Sequence, residues 1–268
     1  MKLKNDLSIT YKGYLQQAWY NDAAGDMRDI NALLAKFRMF NNPLLPCAPL
    51  FFVIDYTAGQ YLAITDAVRQ ISGYHPQDFI ATSLGSMVDA FFNKDDFAVY
   101  NQKIFANNTS FLKTTPHEEH RDYIFSYTFR FIRQDKKIAN VWQRGSYITS
   151  AETGLPLYSL GMLMDLTHIK TDTAMVHTIE KVGMQNGRVS NQLVSRDYFY
   201  PDAEEGQLTR REKAVLQYLA EGYSSKQVAE KMFLSGHTIV SHKQNMLRKT
   251  NTKNIAQLVA FAITNRII

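Results

Sequence analysis

The spacing of apolar residues changes twice along this 268-residue chain: it is helical at the start, alternating in the middle and helical again at the end. Residues 11–40 carry apolar positions three and four apart, which predicts one or two helices. From Leu50 the period becomes two. The segment 51–65 (FFVIDYTAGQYLAIT) therefore predicts two strands around a turn that contains Gly59.

The middle of the chain predicts a helix followed by three strands. Asn93 is a good N-cap for a helix over residues 94–105, because two aspartates lie in its first turn. Five aromatic residues then alternate with other residues and share one strand face: Tyr123, Phe125, Tyr127, Phe129 and Phe131. Turns over residues 134–137 and 151–156 separate this strand from two more. This order indicates an α+β domain of about a hundred residues.

Helical spacing returns in the last quarter, where four helices are predicted. Thr209 and Glu212 form a capping box at the start of the first helix, which stops at Gly222. Ser224 caps the second helix, and a short turn leads into a third over residues 235–250. The predicted inward positions are Val215, Leu216, Leu219, Val228, Ala229, Met232, Ile239, Met246, Ile255, Leu258, Val259 and Ala262. Helix, tight turn and basic helix form a helix-turn-helix, whose second helix enters the major groove.

Composition narrows the class of protein and its compartment. With 45% hydrophobic and 21% charged residues the chain has the composition of a globular protein. The N-terminus has no apolar targeting segment, and the most apolar run, residues 43–54, is too short to cross a bilayer. A single cysteine, Cys47, fits a reducing compartment. We therefore expect a cytoplasmic protein with no membrane partner.

Charge is concentrated at the C-terminal end. Residues 207–268 contain ten Lys and Arg against three Asp and Glu, whereas the preceding 206 residues carry a net charge of −2. A basic module joined to a slightly acidic body indicates binding to a polyanion such as DNA. On charge alone, a solvated lysine-rich helical face is an equally good interpretation.

Three segments of the middle region resemble the PAS sensor family: FFVIDYTAGQYLAIT, ISGYHPQDFI and GMLMDLTHIK. In the last, Asp165, Leu166, Thr167 and Lys170 are similar to the ending of many PAS domains. The resemblance covers residues 46–170. It implies a five-stranded antiparallel sheet with helices on one face, in a family whose members sense small molecules, bind haem or flavin, or dimerise.

The sequence identifies no cofactor for this domain. A flavin photosensor of the family is expected to carry a cysteine on the helix after the second strand, and none is present there. His75, His117 and His120 lie in polar, turn-like sequence, so we expect surface positions rather than haem ligands. The aromatic strand face is either the ordinary hydrophobic side of a sheet or the lining of a pocket for an unidentified small molecule.

Catalysis has the weakest support among the functions considered. HEEH at 117–120 places two histidines three apart after Pro116, whereas a metalloprotease helix needs them four apart and a third ligand. The sequence has no phosphate-binding loop or nucleophile elbow, and Cys47 has no evident base partner. We therefore predict no catalytic residues and no metal site.

The C-terminal module resembles the LuxR/FixJ-type DNA-binding domain over residues 207–268. The matching positions are Leu208, Thr209, Arg211, Glu212, Val215, Leu216, Gly222, Ser225, Lys226, Val228, Ala229, Leu234, Ser235, Thr238, Ile239, His242, Asn245, Leu247, Lys249, Leu258 and Ala262. Gln227 stands where an acidic residue is usual. Thr250 stands where Leu is preferred, which predicts looser packing between the last two helices.

The third helix divides into two faces. Ile239 and Met246 face the core and fix its rotation, so the predicted base contacts point outward together: Val240, Ser241, Gln244 and Arg248. The first three match family positions that reach base edges. The residues that flank this face are predicted to contact phosphates: Lys226, Thr238, His242, Lys243 and Lys249.

These observations predict four segments: an N-terminal helical extension (1–45), a PAS-like sensor domain (46–170), a linker or signalling segment with a hinge (171–206) and a LuxR-type helix-turn-helix domain (207–268). Within the third segment, residues 175–182 (MVHTIEKV) are either a strand or a signalling segment. The predicted function is transcription regulation by a homodimer that binds double-stranded DNA and responds to a small-molecule or protein signal. The first alternative is a protein-interaction adaptor that binds nucleic acid without sequence preference. An enzyme with a DNA-binding tail is the second.

Overall fold

The computed structural model of this chain describes residues 9–18, 34, 49–170, 172–185, 187–201, 208–265 and 267–268. It divides into two compact units. The N-terminal unit contains the residues up to Lys170 together with Val176–Asp197, and the C-terminal unit contains Thr171–Met175 together with Tyr198–Ile268. Most of the predicted 11–40 helical region, Cys47 and the hinge residues 202–206 lie outside the described residues.

In the first unit two strands are followed by helices and then by more strands, in the order that the hydrophobic pattern predicts. Its strands are β1 (Leu50–Asp55), β2 (Gln60–Ile64), β3 (Tyr123–Ile132), β4 (Ile138–Thr149), β5 (Pro156–Asp165), β6 (Met175–Gln185) and β7 (Arg188–Phe199). Its α-helices are α1 (Tyr11–Ala18), α2 (Val68–Ser72), α3 (Pro76–Ile80), α4 (Leu84–Phe91), α5 (Lys94–Val99) and α6 (Phe105–Thr114). A π-helix (Tyr100–Ile104) joins α5 to α6, and a 3₁₀ helix (His117–Asp122) precedes β3.

The strands form one sheet in the order β2-β1-β5-β4-β3-β6-β7. The pairs among the first five strands are antiparallel, which confirms the predicted PAS-like α+β fold. The aromatic face of β3 packs on the helices: Phe131 stacks on Phe91 with ring centroids 4.8 Å apart, and Phe129 on Phe92 at 4.1 Å. The alternating aromatic residues of β3 thus correctly predict that the core lies on one side of the sheet.

The helix predicted over residues 94–105 begins where expected but ends later. Asn93 Oδ1 accepts hydrogen bonds from the backbone N–H groups of Asp95 and Asp96, as an N-cap should. The helical path then continues through the π-helix to Thr114. The predicted end was wrong because Phe105, Ala106 and Leu112 give the next turns a buried face of their own.

The described residues form a sheet of seven strands, two more than the five expected. The segment expected to be a linker contributes β6 and β7. His177–Lys181 of β6 pair antiparallel with Tyr123–Tyr127 of β3 and extend the sheet at that edge. Met175, His177 and Ile179 alternate as buried positions of β6, which gives it the one-sided pattern of a strand. The strand alternative for residues 175–182 is thus β6, whereas β7 lies in the polar stretch that was expected to be a linker.

Four helices form the C-terminal unit, as predicted: α7 (Arg210–Ala220), α8 (Ser225–Lys231), α9 (Gly236–Thr250) and α10 (Ile255–Thr264). Thr209 and Ser224 form capping boxes with Glu212 and Gln227. The amide oxygen of Gln227 therefore does what the usual carboxylate would do at this position. Among the described residues, no helix is long and apolar enough to cross a bilayer.

Two aromatic residues from the end of the segment expected to be a linker belong to the core of the C-terminal unit. Tyr200 is buried together with Ala214, and Tyr198 packs against the main helical cluster. The hydroxyl of Tyr198 donates a hydrogen bond to a carboxylate oxygen of Glu221. The continuous part of the C-terminal unit therefore starts at Tyr198, about ten residues before its first helix.

Candidate nucleic-acid interface

Two fully buried side chains fix the rotation of α9 about its axis. Ile239 and Met246 lie in the core of the C-terminal unit with Val215, Leu216 and Val228. They are seven residues apart, two helical turns, so they anchor both halves of the helix on the same face. The opposite face of α9 must therefore point to solvent.

The side chains predicted to read bases lie on that exposed face. Val240 is 43% exposed, and Gln244 and Arg248 are exposed one and two turns further on. Ser241 is half-buried, and its hydroxyl donates to the backbone carbonyl of His237 at 3.1 Å. Arg248 Nη2 donates to Asn245 Oδ1 at 3.2 Å, which holds the guanidinium along the helix. Three of the four predicted residues thus share one open surface, and Ser241 lies at its border.

The predicted phosphate contacts occupy the flanks of this surface. Lys226 is exposed on α8, and Thr238 and His242 are half-buried on α9. Thr238 takes part in the N-cap of α9, because its N–H donates to Ser235 Oγ at 3.1 Å. Lys243 Nζ donates to Ser225 Oγ at 3.1 Å, so this ammonium group links α9 to α8. The start of α8 thus lies close to Lys243, whose ammonium group brings positive charge to this flank of the surface.

Lys249 has an internal partner. Its Nζ lies 2.7 Å from Glu212 Oε2, and the Glu212 side chain is 4% exposed. The same carboxylate accepts hydrogen bonds from the N–H and hydroxyl of Thr209. Burial raises the pKa of Glu212, but the hydrogen bonds from Lys249 and Thr209 outweigh it and hold the pKa below its ordinary value. Lys249 therefore ties the end of α9 to the start of α7.

Thr250 fills a position where the family resemblance predicts Leu. Its side chain is buried, and its hydroxyl donates to the carbonyl of Met246 at 2.8 Å. Asn251 then ends α9 in the left-handed conformation. The hydroxyl thus has a partner inside its own helix.

Two residues near the helix-turn-helix turn were missed in the sequence. Lys231 ends α8, and its Nζ lies 4.7 Å from the ring centroid of Tyr223. Phe233, in the turn itself, is 96% exposed with a φ of 53°. Its sequence neighbours Met232 and Leu234 are apolar too, so no local contrast marks Phe233 as exposed. Nothing in the structure explains its exposure.

The interior of the PAS-like domain contains a small cavity. It is lined by Phe52, Tyr56, Phe125, Tyr127, Gln143, Gly145, Ser146, Tyr147, Ser159 and Leu160, and its volume is about 20 Å³. A space of this size holds about one water molecule. A Cβ on Gly145 would lie 2.4 Å from the carbonyl oxygen of Leu160, so this site requires glycine. The lining is aromatic but rich in hydroxyl groups.

A chain of buried polar side chains begins at Tyr147 in the cavity lining, and Tyr56 and Ser159 of the lining form a second pair. The amide of Asn108 donates to the Tyr147 hydroxyl at 3.2 Å, and its Oδ1 accepts from His177 Nε2 at 2.8 Å. Tyr56 donates to Ser159 Oγ at 3.3 Å. Burial raises the pKa of Tyr147 to about 12, so its hydroxyl stays protonated at neutral pH.

The histidines of the N-terminal unit are distributed differently from the prediction. His75 and His117 are exposed as expected, but the surface position predicted for His120 was wrong. His120 is 2% exposed because its Nδ1 meets Thr149 Oγ1 at 2.8 Å and its Nε2 meets the carbonyl of Leu112 at 2.9 Å. His177, fully buried on β6, was missed since its segment was expected to be a linker.

His120 and His177 use their Nε2 atoms in hydrogen bonds inside the domain. The HEEH segment is a 3₁₀ helix rather than the α-helix of a metalloprotease. Within the ranges that the structure describes, no group of three His, Cys, Asp or Glu could hold a metal ion.

Comparison with known proteins identifies the basic module. Residues 206–262 match the family model "Bacterial regulatory proteins, luxR family". The chain is 36% identical over 61 residues to the oxygen regulatory protein NreC of Staphylococcus carnosus, which is 23% of this chain and 28% of that protein. It is 40% identical over 60 residues to the virulence-factor transcription regulator BvgA of Bordetella pertussis. This match covers 22% of this chain and 29% of BvgA. The chain thus spans less than a third of the length of these curated relatives, which are regulatory proteins and not enzymes.

Similar solved structures include a protein described as a LuxR-type receptor and a PAS domain. The Vibrio cholerae VqmA dimer, described as a LuxR-type receptor, gives a TM-score of 0.37 at 14% identity and covers 86% of both chains. The PAS-B domain of Drosophila melanogaster Cycle gives 0.32 at 15% identity and covers 43% of this chain and 98% of that one.

Proposed function

We propose that this chain, whose C-terminal domain is a DNA-binding domain of the LuxR family, is a sequence-specific transcription regulator controlled by its PAS-like domain. One observation carries the proposal: the core contacts of Ile239 and Met246 turn Val240, Gln244 and Arg248 to solvent on a single helix face. Gln pairs bidentately with adenine, Arg with guanine, and Val contacts the thymine methyl. The face therefore offers three different ways to read base edges.

The proposed regulator binds double-stranded DNA as a homodimer in the cytoplasm. One copy of α9 spans only a few base pairs, and two copies related by a two-fold axis double the recognised sequence. The basic charge of residues 207–268 supplies the attraction to phosphates that does not depend on sequence. Gln244 and Arg248 then supply the discrimination between sequences.

The input is proposed to be a small molecule or a protein that acts on the PAS-like domain. Support for a small molecule comes from the cavity, where the hydroxyls of Tyr56, Tyr147 and Ser159 lie among aromatic rings. Such a lining recognises a small planar polar compound by stacking and hydrogen bonding. Because the cavity holds only about one water, binding requires the aromatic side chains to move apart.

Genome-wide mapping of the bound sites tests the DNA-binding proposal. Sharp peaks over a shared palindrome are expected, and purified protein should shift that palindrome at concentrations where random duplex stays free. Broad occupancy without a shared sequence would instead support the adaptor hypothesis, in which the basic module binds nucleic acid without preference. Gln244→Ala serves as the internal control, since it should erase the peaks while leaving salt-dependent binding to random duplex.

Differential scanning fluorimetry with the full chain tests the signal proposal. A ligand of the cavity should raise the melting temperature of the wild-type protein. The same ligand should have a smaller effect on Tyr56→Phe and Ser159→Ala, which remove hydroxyls from the lining. An equal effect on the wild type and both variants would place the ligand elsewhere on the chain.

A further inference from the structure

One further side chain lies on the exposed face of α9: the imidazole of His237, in the first turn of the helix. Ser235 caps α9 by accepting the N–H of Thr238, so the helix begins at Gly236 and His237 is its second residue. His237 is exposed, and its ring makes no hydrogen bond to any residue that the structure describes. Both ring nitrogens are therefore open to a partner outside the chain.

Around the helix axis, His237 shares the position of the residues assigned to base edges. Each residue of an α-helix is rotated by about 100° from the one before it, so His237 lies within about 20° of both Gln244 and Arg248. The fully buried side chains of Ile239 and Met246 lie on the opposite side. His237, Gln244 and Arg248 thus form one nearly straight row along the middle of the open face.

His237 is also the member of this row that is nearest to the start of α9. In helix-turn-helix proteins the N-terminal residues of the second helix contact the base edges. From His237 to Gln244 the helix rises by about 10 Å, which corresponds to about three base pairs of duplex DNA. The two side chains therefore reach different base pairs.

We propose that His237 reads a guanine in the major groove and adds one base pair to the sequence that each copy of α9 recognises. This inference rests on the proposed sequence-specific function and deepens it. Guanine presents two neighbouring acceptors, N7 and O6, to the major groove. Imidazole has one N–H donor when neutral and two when protonated, so it matches these acceptors in either state. Adenine has an amino donor beside its N7 atom, which opposes a second donor.

The phosphate backbone is the alternative partner of an exposed imidazole beside DNA. Phosphate contacts come from the flanks of the reading face, and His242 occupies such a flank: it is half-buried and lies about 140° from His237 around the axis of α9. Viewed along that axis, His237 lies between Val240 and Ser241 instead. Its position in the middle of the face favours base edges over phosphates.

Selection of binding sites from randomised duplexes by the full-length protein tests the assignment. The wild type should enrich a G·C pair in each half-site, and His237→Ala should lose the preference at that pair alone. Gln244→Ala should lose the preference at another pair, about three base pairs away. His168→Ala, at an exposed position in the turn after β5, is the matched control and should select the wild-type sequence.

Affinity for the selected site separates hydrogen bonding from the shape of the ring. His237→Phe keeps a planar ring without donors, so it should bind this site about tenfold more weakly and bind random duplex unchanged. His237→Arg should restore the preference for guanine, because Arg donates to the same N7 and O6 atoms. Inosine in place of the guanine should leave wild-type binding unchanged, since it lacks only the amino group in the minor groove.

The inference is overturned if His237→Ala selects the wild-type sequence, if the pair that it relaxes is not G·C, or if His237→Arg prefers another base. Equal losses of His237→Phe on selected and random duplexes would indicate a phosphate contact and reject it too. Weaker wild-type binding to the inosine site would place the contact in the minor groove, with the same result.

Failure of this inference is distinct from failure of the proposed function. A selected sequence that His237→Ala leaves unchanged would reject the role of His237 alone and keep sequence-specific regulation. A wild-type protein that enriches no sequence would reject the proposed function, and His237 would then have no base to read.

Discussion

Gln244 and Lys226 represent the two kinds of residue in the interface. Gln244 is exposed on the face of α9 that lies opposite Ile239 and Met246, where an amide reaches base edges. Lys226 is exposed at the start of α8, beside that face, where an ammonium reaches the backbone. Lys243 and Lys249 differ from Lys226 because both make hydrogen bonds inside the domain.

Replacement of one residue of each kind should therefore separate specificity from charge. Gln244→Ala should cost about 1–3 kcal/mol at the preferred site and little on random duplex. Lys226→Ala should weaken both and lower the salt slope by about one unit per protomer. Titrations on both duplexes at several salt concentrations make the comparison, with Lys137→Ala as the control. Equal losses on both duplexes for the two variants would contradict the rotation of α9.

A second prediction at this scale concerns Glu212 and the dependence of stability on pH. Glu212→Gln removes the ion pair with Lys249 and should lower the free energy of unfolding of the C-terminal unit by about 1–3 kcal/mol at pH 7. Because the pKa of folded Glu212 lies below its ordinary value of 4.5, its contribution is complete above that value. The contribution is lost as the pH falls through the lower folded-state pKa.

Urea unfolding of the wild type and Glu212→Gln at several pH values measures this difference. The two curves should converge at acid pH, where the wild-type carboxyl is protonated. Glu230→Gln, an exposed residue of α8, should match the wild type throughout. A gap between wild type and Glu212→Gln that stays constant down to pH 3 would show that the carboxylate charge is not what stabilises the helix pair.

At the scale of elements, β6 is joined to α6 by one buried amide. Asn108 of α6 bonds to His177 of β6 through its oxygen and to Tyr147 of β4 through its nitrogen. The His177 Nδ1 atom is buried 3.6 Å from a carboxylate oxygen of Asp197 on β7. These hydrogen bonds connect α6 to β4 and β6. They hold β6 in register only while Asn108 keeps both of its partners.

Asn108→Ala should consequently destabilise the N-terminal unit by about 1–3 kcal/mol, because the buried His177 Nε2 and the Tyr147 hydroxyl lose a partner. Thermal unfolding of the full chain measures the loss. Asn107→Ala, at the neighbouring exposed position of α6, is the control. If the two variants have the same melting temperature, the hydrogen bonds of Asn108 contribute nothing to stability. β6 is then held by its backbone pairs and its apolar face alone.

At the scale of the whole molecule, the boundary of the DNA-binding unit does not coincide with its first helix. Tyr200 is 4% exposed against Ala214, and Lys213 Nζ lies 5.8 Å from the centroid of its ring. Tyr198 packs edge to face on Tyr218 with ring centroids 5.7 Å apart. These contacts make the end of β7 part of the C-terminal core.

A fragment that starts at Tyr198 should therefore be more stable than one that starts at Gln207. Burial of the Tyr200 ring predicts a difference of about 2 kcal/mol in the free energy of unfolding. Tyr200→Ala in the longer fragment should remove most of the difference. Both fragments should bind DNA, since α9 is intact in each. Equal stability of the two fragments would mean that Tyr198 and Tyr200, at and just after the end of β7, are dispensable to the unit.

The sequence alone determined the five strands within residues 46–170 and the complete helix-turn-helix. Alternating aromatic residues in β3 and the caps Asn93, Thr209 and Ser224 act over a few residues, so their effect can be read locally. The spacing of Ile239 and Met246 likewise determined which side of α9 is open. These signals depend on backbone geometry that every strand and helix shares.

Tertiary structure decided what depends on partners distant in the chain. His120 is buried because Thr149 and the carbonyl of Leu112 form hydrogen bonds with its two ring nitrogens. No local sequence pattern predicts such partners. The strand identity of β6 likewise depends on pairing with β3, some fifty residues away in the sequence. Hydrogen bonds between distant strands determine which polar segment becomes a strand. For the same reason Lys249 was predicted to contact phosphate. Its observed partner, Glu212, is 37 residues earlier in the sequence and approaches Lys249 only through the packing of α7 against α9.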